Sequence, residues 1–511
     1  GLRVNWSKSC IYPLRYIPES RRILDCHTRL KWEYVTFRYL GIQVYHSEVD
    51  LLEGNIYRTL RSTRGSIRFW ASLPLSPMGR ISISKMLILP RFLYYFSALP
   101  VLIPKSFFRE LHGLICNLIW GTGRHRIALS KLQAPIDKGG LAVPNFEIYY
   151  AAAQLQWPVI WLADETCPEY IQIRSLLGAT HIYKWLTSPR WPKKEETNTM
   201  RTARVCWHRY MGTQTGVHLY SPLLSLSWVS SIEEIWDVHG LTLWQDAGIE
   251  ELRDLYVDGA LMSFQELSET YGVPSAHFLR YTAVRGALAK HWSSTPIEPP
   301  ISQTLHAVLS QGTARRAITM LYTCLLTARL PALTALREKW DTDLLVPLSD
   351  VQWAQAAAQV KVVSRNMRLR FTQVNYLHRT YLTPLRLSKM YETSRPDCPR
   401  CLDQCADFMH MVWKCPVVAV AWGEIVADIS EIVEVAVPCT PEVCLLGIMP
   451  TPKQVRYRNK FIYLSMALYK RQIAMHWKAS TVPDIKVWRR ILLKWAQAEV
   501  TAMAEMVGRT C

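Results

Sequence analysis

The chain has 511 residues, 49% hydrophobic and 20% charged, the balance of a soluble globular protein long enough for two or three cores. Sixty Lys plus Arg against 41 Asp plus Glu leave a formal net charge of +19, which favours polyanions such as nucleic acid, because each neutralised phosphate releases condensed counterions; the plainer alternative is a soluble basic protein. Thirteen cysteines, an odd number spread along the chain, exclude a secreted disulfide framework, and no charged-then-apolar leader follows Gly1, so the expectation is an intracellular fragment found in nucleus and cytoplasm.

In chain order, Val35 to Val44 alternates β-branched and aromatic residues about Gly41, the pattern of a hairpin. From Leu51 the period becomes helical. Ile56, Leu60, Ile67 and Trp70 share one face, with Arg58, Arg61, Arg64 and Arg68 largely on another. Ser76-Pro77 caps and opens a second helix through Arg80 and Lys85, which ends near Pro90 or continues through a kink. A third runs from about Pro104 to Trp120 and is stopped by Gly121. Gly139-Gly140 marks a turn, and Asn145 is placed to cap the helix holding Tyr149 to Leu155.

Met86 to Pro104 is the most apolar stretch. Pro90, Arg91 and Pro100 interrupt it, and it falls short of the ~20 apolar residues of a membrane span, so no membrane partner is expected. Ser188 to Thr202 reads as a linker or long loop. A helical region follows over 207–291, with turns near Gly212-Thr213, Gly240 and Gly272, and Pro296 to Pro300 forms another boundary. No fixed-period repeat, heptad or low-complexity tract is present.

The sharpest motif is Cys398-x2-Cys401-x8-His410-x4-Cys415. Zinc takes four soft or borderline ligands in a tetrahedron, and a C-x2-C turn presents two thiolates to one ion. With all four positions filled by Cys and His, the site is structural, leaving no place for activated water. Cys405 offers another set, Cys405 replacing Cys398; Pro399 favours the tight turn of the first pair. Idle reduced thiols and a redox C-x-x-C are the remaining alternatives.

Three basic runs accompany it. The first is Arg58, Arg61, Arg64, Arg68, Arg80 and Lys85. The second is Arg124, His125, Arg126, Lys131 and Lys138. The third is Lys361, Arg365, Arg368, Arg370, His378, Arg379, Arg386 and Lys389. One run alone is most simply a solvated face, whereas three in a chain of this charge point to a groove that tracks phosphates. No Gly-rich phosphate loop, G-x-S-x-G, H-E-x-x-H or dinucleotide fingerprint is present. Nor is there an Asp-Asp pair, and Tyr256-Val-Asp-Gly259 has Gly where a second carboxylate would sit.

Read together, these segments resemble the reverse transcriptase polyprotein of LINE-type non-LTR retrotransposons, particularly the vertebrate LINE clade. Gly1-Leu-Arg-Val-Asn-Trp-Ser-Lys-Ser9 resembles the stretch after the catalytic palm strand, and Phe37-Arg-Tyr-Leu-Gly-Ile-Gln43 the primer-grip hairpin. Leu75 to Leu89 resembles the opening of the thumb. Ile119-Trp-Gly121 and Gly139-Gly-Leu-Ala-Val-Pro-Asn145 follow in the family's order, as do Tyr376 to Pro384 and the Cys/His motif, while Ser188 to Leu345 matches loosely.

The resemblance implies a mainly α protein with a short N-terminal β-hairpin as palm remnant over 1–50. A thumb-like helical domain over 51–165, a helical linker region over 166–345 and a basic region over 346–511 follow, the last carrying a small zinc-binding module at about 396–418. It places Lys8 near the incoming nucleotide's phosphates and Tyr39, Leu40 and Gly41 near the primer end. The implied partners are RNA and DNA, and the missing palm and endonuclease portion of the polyprotein. The family is an RNA-directed DNA polymerase, but without the aspartate pair this chain is expected to be inactive alone. Polymerase activity on complementation by a separate palm, a zinc-dependent protein-interaction module and a non-functional element remnant are the alternatives.

Overall fold

A computed structural model describes residues 5–6, 9–13, 30–121, 123, 125–163, 168–177, 185–186, 196–211, 243–244, 246–249, 252–291, 316–329, 334–449 and 456–507. The fold is mainly α, as expected, with three two-stranded sheets among the described residues. Strands β1 (Cys10–Ile11) and β2 (Lys31–Trp32) pair in parallel, and β3 (Phe37–Tyr39) pairs antiparallel with β4 (Ile42–Val44). Helix α1 (Glu48–Leu51) passes through a π turn (Leu52–Tyr57) into α2 (Arg58–Ser72). Helix α3 (Pro77–Ile83), a second π turn (Ser84–Ile88), α4 (Leu89–Ala98), α5 (Lys105–Trp120) and α6 (Phe146–Ala163) follow. Next come α7 (Asn198–Cys206), β5 (Tyr256–Val257), β6 (Ala260–Leu261), α8 (Phe264–Tyr271) and α9 (Ala317–Arg329). The last principal helices are α10 (Asp350–Val362), α11 (Met367–Leu377), α12 (Pro416–Val433), α13 (Arg456–Met475) and α14 (Ile485–Val507).

Local chemistry accounts for most of these boundaries. The two residues joining β3 to β4, Leu40 and Gly41, both have positive φ (46° and 86°), the backbone of a type I′ turn, whose twist matches that of paired strands. The Ser76 hydroxyl accepts from Gly79 N–H at 3.2 Å, with Pro77 at the first helical position, as the sequence predicts. Pro90 does not end the helix. The π turn just before it loosens the ladder where proline has no N–H to donate. Gly121, at φ 64°, closes α5, and the Asn145 side chain caps α6 by accepting from Ile148 N–H at 3.1 Å.

Two expectations are corrected in part. Of the linker or long loop expected over 188–202, residues 188–195 lie outside the described residues, while 198–202 belong to α7, whose first turn is capped by the Thr197 hydroxyl accepting from Met200 N–H at 3.2 Å. The helical region expected over 207–291 contains the β5–β6 hairpin, turned by Asp258 and Gly259, both with positive φ. Gly272 ends α8 at φ 68° as expected, whereas Gly212-Thr213, Gly240 and Pro296 to Pro300 lie outside the described residues.

Where the sequence suggests four consecutive stretches, the chain groups into two compact units. The first takes Gly1–Arg64, Ile88–His112 and Asn145–Arg329; the second takes Gly65–Leu87, Gly113–Pro144 and Leu330–Cys511. The first is centred on α4, α6, α7 and α9. Phe92, Phe96, Phe108 and Tyr150 pack there with ring centroids 5.4–6.1 Å apart. Gln154 donates to the carbonyls of Phe96 and Leu99 and so satisfies the buried end of α4. A satellite core gathers Trp244, Leu252, Leu255, Met262 and Leu267 around the β5–β6 hairpin. In the second unit, α10, α11, α13 and α14 surround Trp353, Tyr376, Trp422, Tyr469 and Trp488. Their polar atoms are largely matched: Trp422 donates to Val412 O, Trp488 to Ser465 O and Tyr376 to Lys470 O, each at 2.9–3.1 Å.

Candidate metal centre and basic surfaces

The metal motif begins with a reverse turn. Leu402 N–H donates to Cys398 O at 2.9 Å, Cys398 N–H donates to Asp403 O at 2.8 Å, and Leu402 takes φ 63° to close the loop. This brings the thiols of Cys398 and Cys401 to one side. His410 opens a π turn (His410–Lys414), its N–H held by Asp407 Oδ1 at 2.7 Å, and Cys415 stands immediately before Pro416 at the start of α12. The ligand atoms of Cys398, Cys401, His410 and Cys415 all lie within 4.8 Å of one another. Cys398 Sγ is 4.0 Å from Cys415 Sγ, and Cys401 Sγ is 3.2 Å from His410 Nε2. A tetrahedral ion with ~2.0–2.3 Å bonds sets its ligands roughly 3.5–3.8 Å apart, so the cluster fits one metal ion.

Three of the four residues are buried, and the far ring nitrogen of His410 faces the Asp403 carboxylate at 3.8 Å. Against the burial that would raise it, the N–H groups of Cys401 and Arg400 and the neighbouring thiols hold the Cys398 thiol below its ordinary value. Cys405 is exposed and stands outside the cluster, so the set with Cys398 is the one assembled. The motif is not a detached module. Arg400 donates to Met411 O at 2.8 Å and His476 O at 3.3 Å, and Phe408 packs against Trp340 and Tyr376.

In the first unit, Gly41 and Arg58 meet in a cleft of about 470 Å³ that also takes in Arg38, Arg91, Tyr94 and Tyr95. Among the described residues no carboxylate lines it. Its geometry depends on Asn55, which sequence reasoning missed. This side chain, 1% exposed, accepts from Gln43 N–H at 2.9 Å and donates to Gln43 O at 2.8 Å and Leu51 O at 2.9 Å, docking β4 on the π turn. A Cβ on Gly54 beside it would stand 2.5 Å from the Tyr45 ring, which would have to shift to admit a side chain. The Tyr94 hydroxyl donates to Leu40 O and fixes the turn. The one available signal was a Gly-Asn pair within an otherwise periodic helix.

The remaining basic residues sort by what their donors reach. Arg61 pairs with Glu53 at 2.5 Å and Arg64 pairs with the half-buried Glu110, and Arg61, Arg64 and Arg68 are themselves exposed. Arg80 is turned inward and donates to Leu118 O and Ala71 O at 3.2 Å. Lys85 donates to Leu141 O at 3.0 Å, and burial, then the nearby Lys361, lowers its pKa. His378 faces Gly139 O at 2.8 Å, and burial holds its imidazole down at about 4, neutral at physiological pH. Arg379 pairs with Asp343 and lies 4.1 Å over the Trp340 ring. These four serve the interior of the second unit. Arg370 donates to Ser364 O at 2.6 Å, and Arg126, Lys131, Arg365 and Arg368 are exposed. Tyr39 is exposed at the hairpin, and Lys8 and Arg124 lie outside the described residues.

No family model matches this chain. Among the described residues no single helix is long and apolar enough to cross a membrane; one bent pair, Ala317–Arg329 with Thr334–Leu344, passes by length and composition.

Proposed function

We propose that this chain is the nucleic-acid-holding C-terminal part of a non-LTR retrotransposon reverse transcriptase, which grips template RNA and target DNA. The observation that carries the reading is the carboxylate-free cleft at the β3–β4 turn, where Arg38, Arg58 and Arg91 converge with two tyrosines. Guanidiniums lining one cleft neutralise successive phosphates, and tyrosine rings offer flat faces to bases. Zinc is the metal assigned to Cys398, Cys401, His410 and Cys415. When bound, it holds thiolates together and orders the chain around them, and with four protein ligands it activates no water. Polymerisation needs carboxylates for two metal ions, and with no Asp-Asp pair in the sequence they must come from a separate palm.

The test is binding of a labelled single-stranded RNA across a potassium chloride series, with zinc assayed in the same preparation. Tight binding that weakens steeply with salt, one zinc per chain, and a shallower slope for Arg38→Ala/Arg58→Ala support the reading. Weak or salt-insensitive binding overturns it and leaves the positive charge as a solvated surface.

A further inference from the structure

A second cleft, of about 430 Å³, lies wholly within the second unit. Helices α11 and α13 line it with the same spacing. Arg368 precedes Phe371 and Thr372 by three and four positions, and Arg471 precedes Ala474 and Met475 likewise, so each helix sets an arginine beside an apolar group one turn on. The floor is Pro74 to Pro77, where two prolines bring no N–H. No carboxylate lines the cleft, and neither arginine makes an ion pair among the described residues. The Phe371 ring is backed by Trp120 at 6.2 Å, and Met475 is 65% exposed at the edge.

We infer that this cleft takes one unstacked nucleotide of a single strand, its base between Phe371 and Met475 and its flanking phosphates on Arg368 and Arg471. Two guanidiniums without an ion pair among the described residues, set around an apolar slot, match the repeat of a nucleic-acid strand, one anion and one π-face per unit. A duplex cannot supply the base, because its faces are already stacked. An acidic peptide would engage the arginines but leave the aromatic face without a flat partner. The volume lies within the ~300–1,000 Å³ of small-ligand sites. The inference rests on the nucleic-acid reading and adds a contact site apart from the hairpin cleft.

The experiment uses the full chain and a fluorescein-labelled oligouridine, read by anisotropy at several potassium chloride concentrations. Arg368→Ala/Arg471→Ala is expected to lower the log–log salt slope by about 1.4, two single-strand phosphate contacts at ~0.7 each. Phe371→Leu, which keeps apolar packing against Trp120, is expected to weaken binding on the order of tenfold with the slope unchanged. Should Phe371→Leu not fold, a 4-thiouridine oligomer photo-crosslinked to the wild-type chain replaces it; adducts on peptides 367–377 or 471–475 support the cleft, and adducts only elsewhere overturn it. Wild-type affinity and slope in a folded double variant, with wild type binding RNA, overturn this inference and leave the proposed function standing. No RNA binding by wild type removes both. Equal competition by a polyglutamate peptide of matching charge overturns the nucleotide in favour of an acidic protein segment.

Discussion

Lys470 gives the sharpest physical test of the second unit. It is fully buried on α13, where its ammonium donates to Gln373 Oε1 and Leu445 O and lies 5.8 Å from the Tyr376 ring centre. Burial pushes it down to about 7, only partly offset by Cys444, whose own thiol burial holds well above its ordinary value. An unfolded lysine keeps its proton to about 10.4. Between these two values the unfolded chain therefore binds more protons than the folded one, and the stability contributed at this site rises with pH. Well above the folded pKa the slope approaches about 1.4 kcal/mol per pH unit, which amounts to roughly 2 kcal/mol between pH 7 and 9, and it vanishes below the folded pKa, where both states are protonated. The assay is hydrogen exchange of α13 peptides in wild type and Lys470→Met at matched pH, where the intrinsic exchange rate cancels. The wild-type to variant protection ratio is expected to climb up to tenfold per pH unit from 7 to 9. Any constant offset reports the Gln373 and Leu445 oxygens left without a donor and does not affect the slope. A flat ratio would show that the lysine keeps its proton when folded and would refute the reasoning.

Three further outcomes follow from the same geometry. Cys398→Ser should remove one metal ion per chain by elemental analysis, and because Phe408 and Arg400 tie the motif to the unit, protection should fall in α12 as well as over 396–418. Retained metal with unchanged protection would remove Cys398 from the ligand set. Asn55→Ala leaves Gln43 N–H and O without partners, an expected cost of ~1–3 kcal/mol, read as faster exchange in β4 and weaker RNA binding while α13 is unaffected. Gly140→Ala would place a Cβ 2.0 Å from Ala134 O, so a lower thermal midpoint is expected; an unchanged midpoint would show that the turn relaxes at little cost.

Features whose physics is local were legible in the sequence. The hairpin was legible because Gly41 falls between alternating residues, and the caps because Ser76 and Asn145 bond N–H groups three residues on. The cysteine and histidine set was legible because a C-x2-C turn aims two sulfurs by backbone geometry alone. The rest depended on partners remote in sequence. Helical period puts Arg80 among basic neighbours, but the carbonyl it serves belongs to Leu118, 38 residues on. His378 finds Gly139, 239 positions away. Composition misled at 198–202, where a threonine cap and the buried pair Arg204–Glu196 outweigh the polar character of the segment.

That sorting changes what the net charge means. A run of Lys and Arg is evidence for a phosphate surface only through the members whose donors stay outside the fold. Arg80, Lys85, His378 and Arg379 lie in the runs and serve carbonyls, a carboxylate or an aromatic face within the second unit. Arg38 and Arg471 lie outside every run, yet they line carboxylate-free clefts. Counterion release depends on groups that can meet a phosphate, so the salt slope should follow the cleft arginines rather than the count of basic residues in any stretch. Replacing Arg80 should therefore lower stability with the slope unchanged, whereas replacing Arg38 should lower the slope with stability unchanged. If both variants moved the same quantity, the division between structural and phosphate-facing cations would fail.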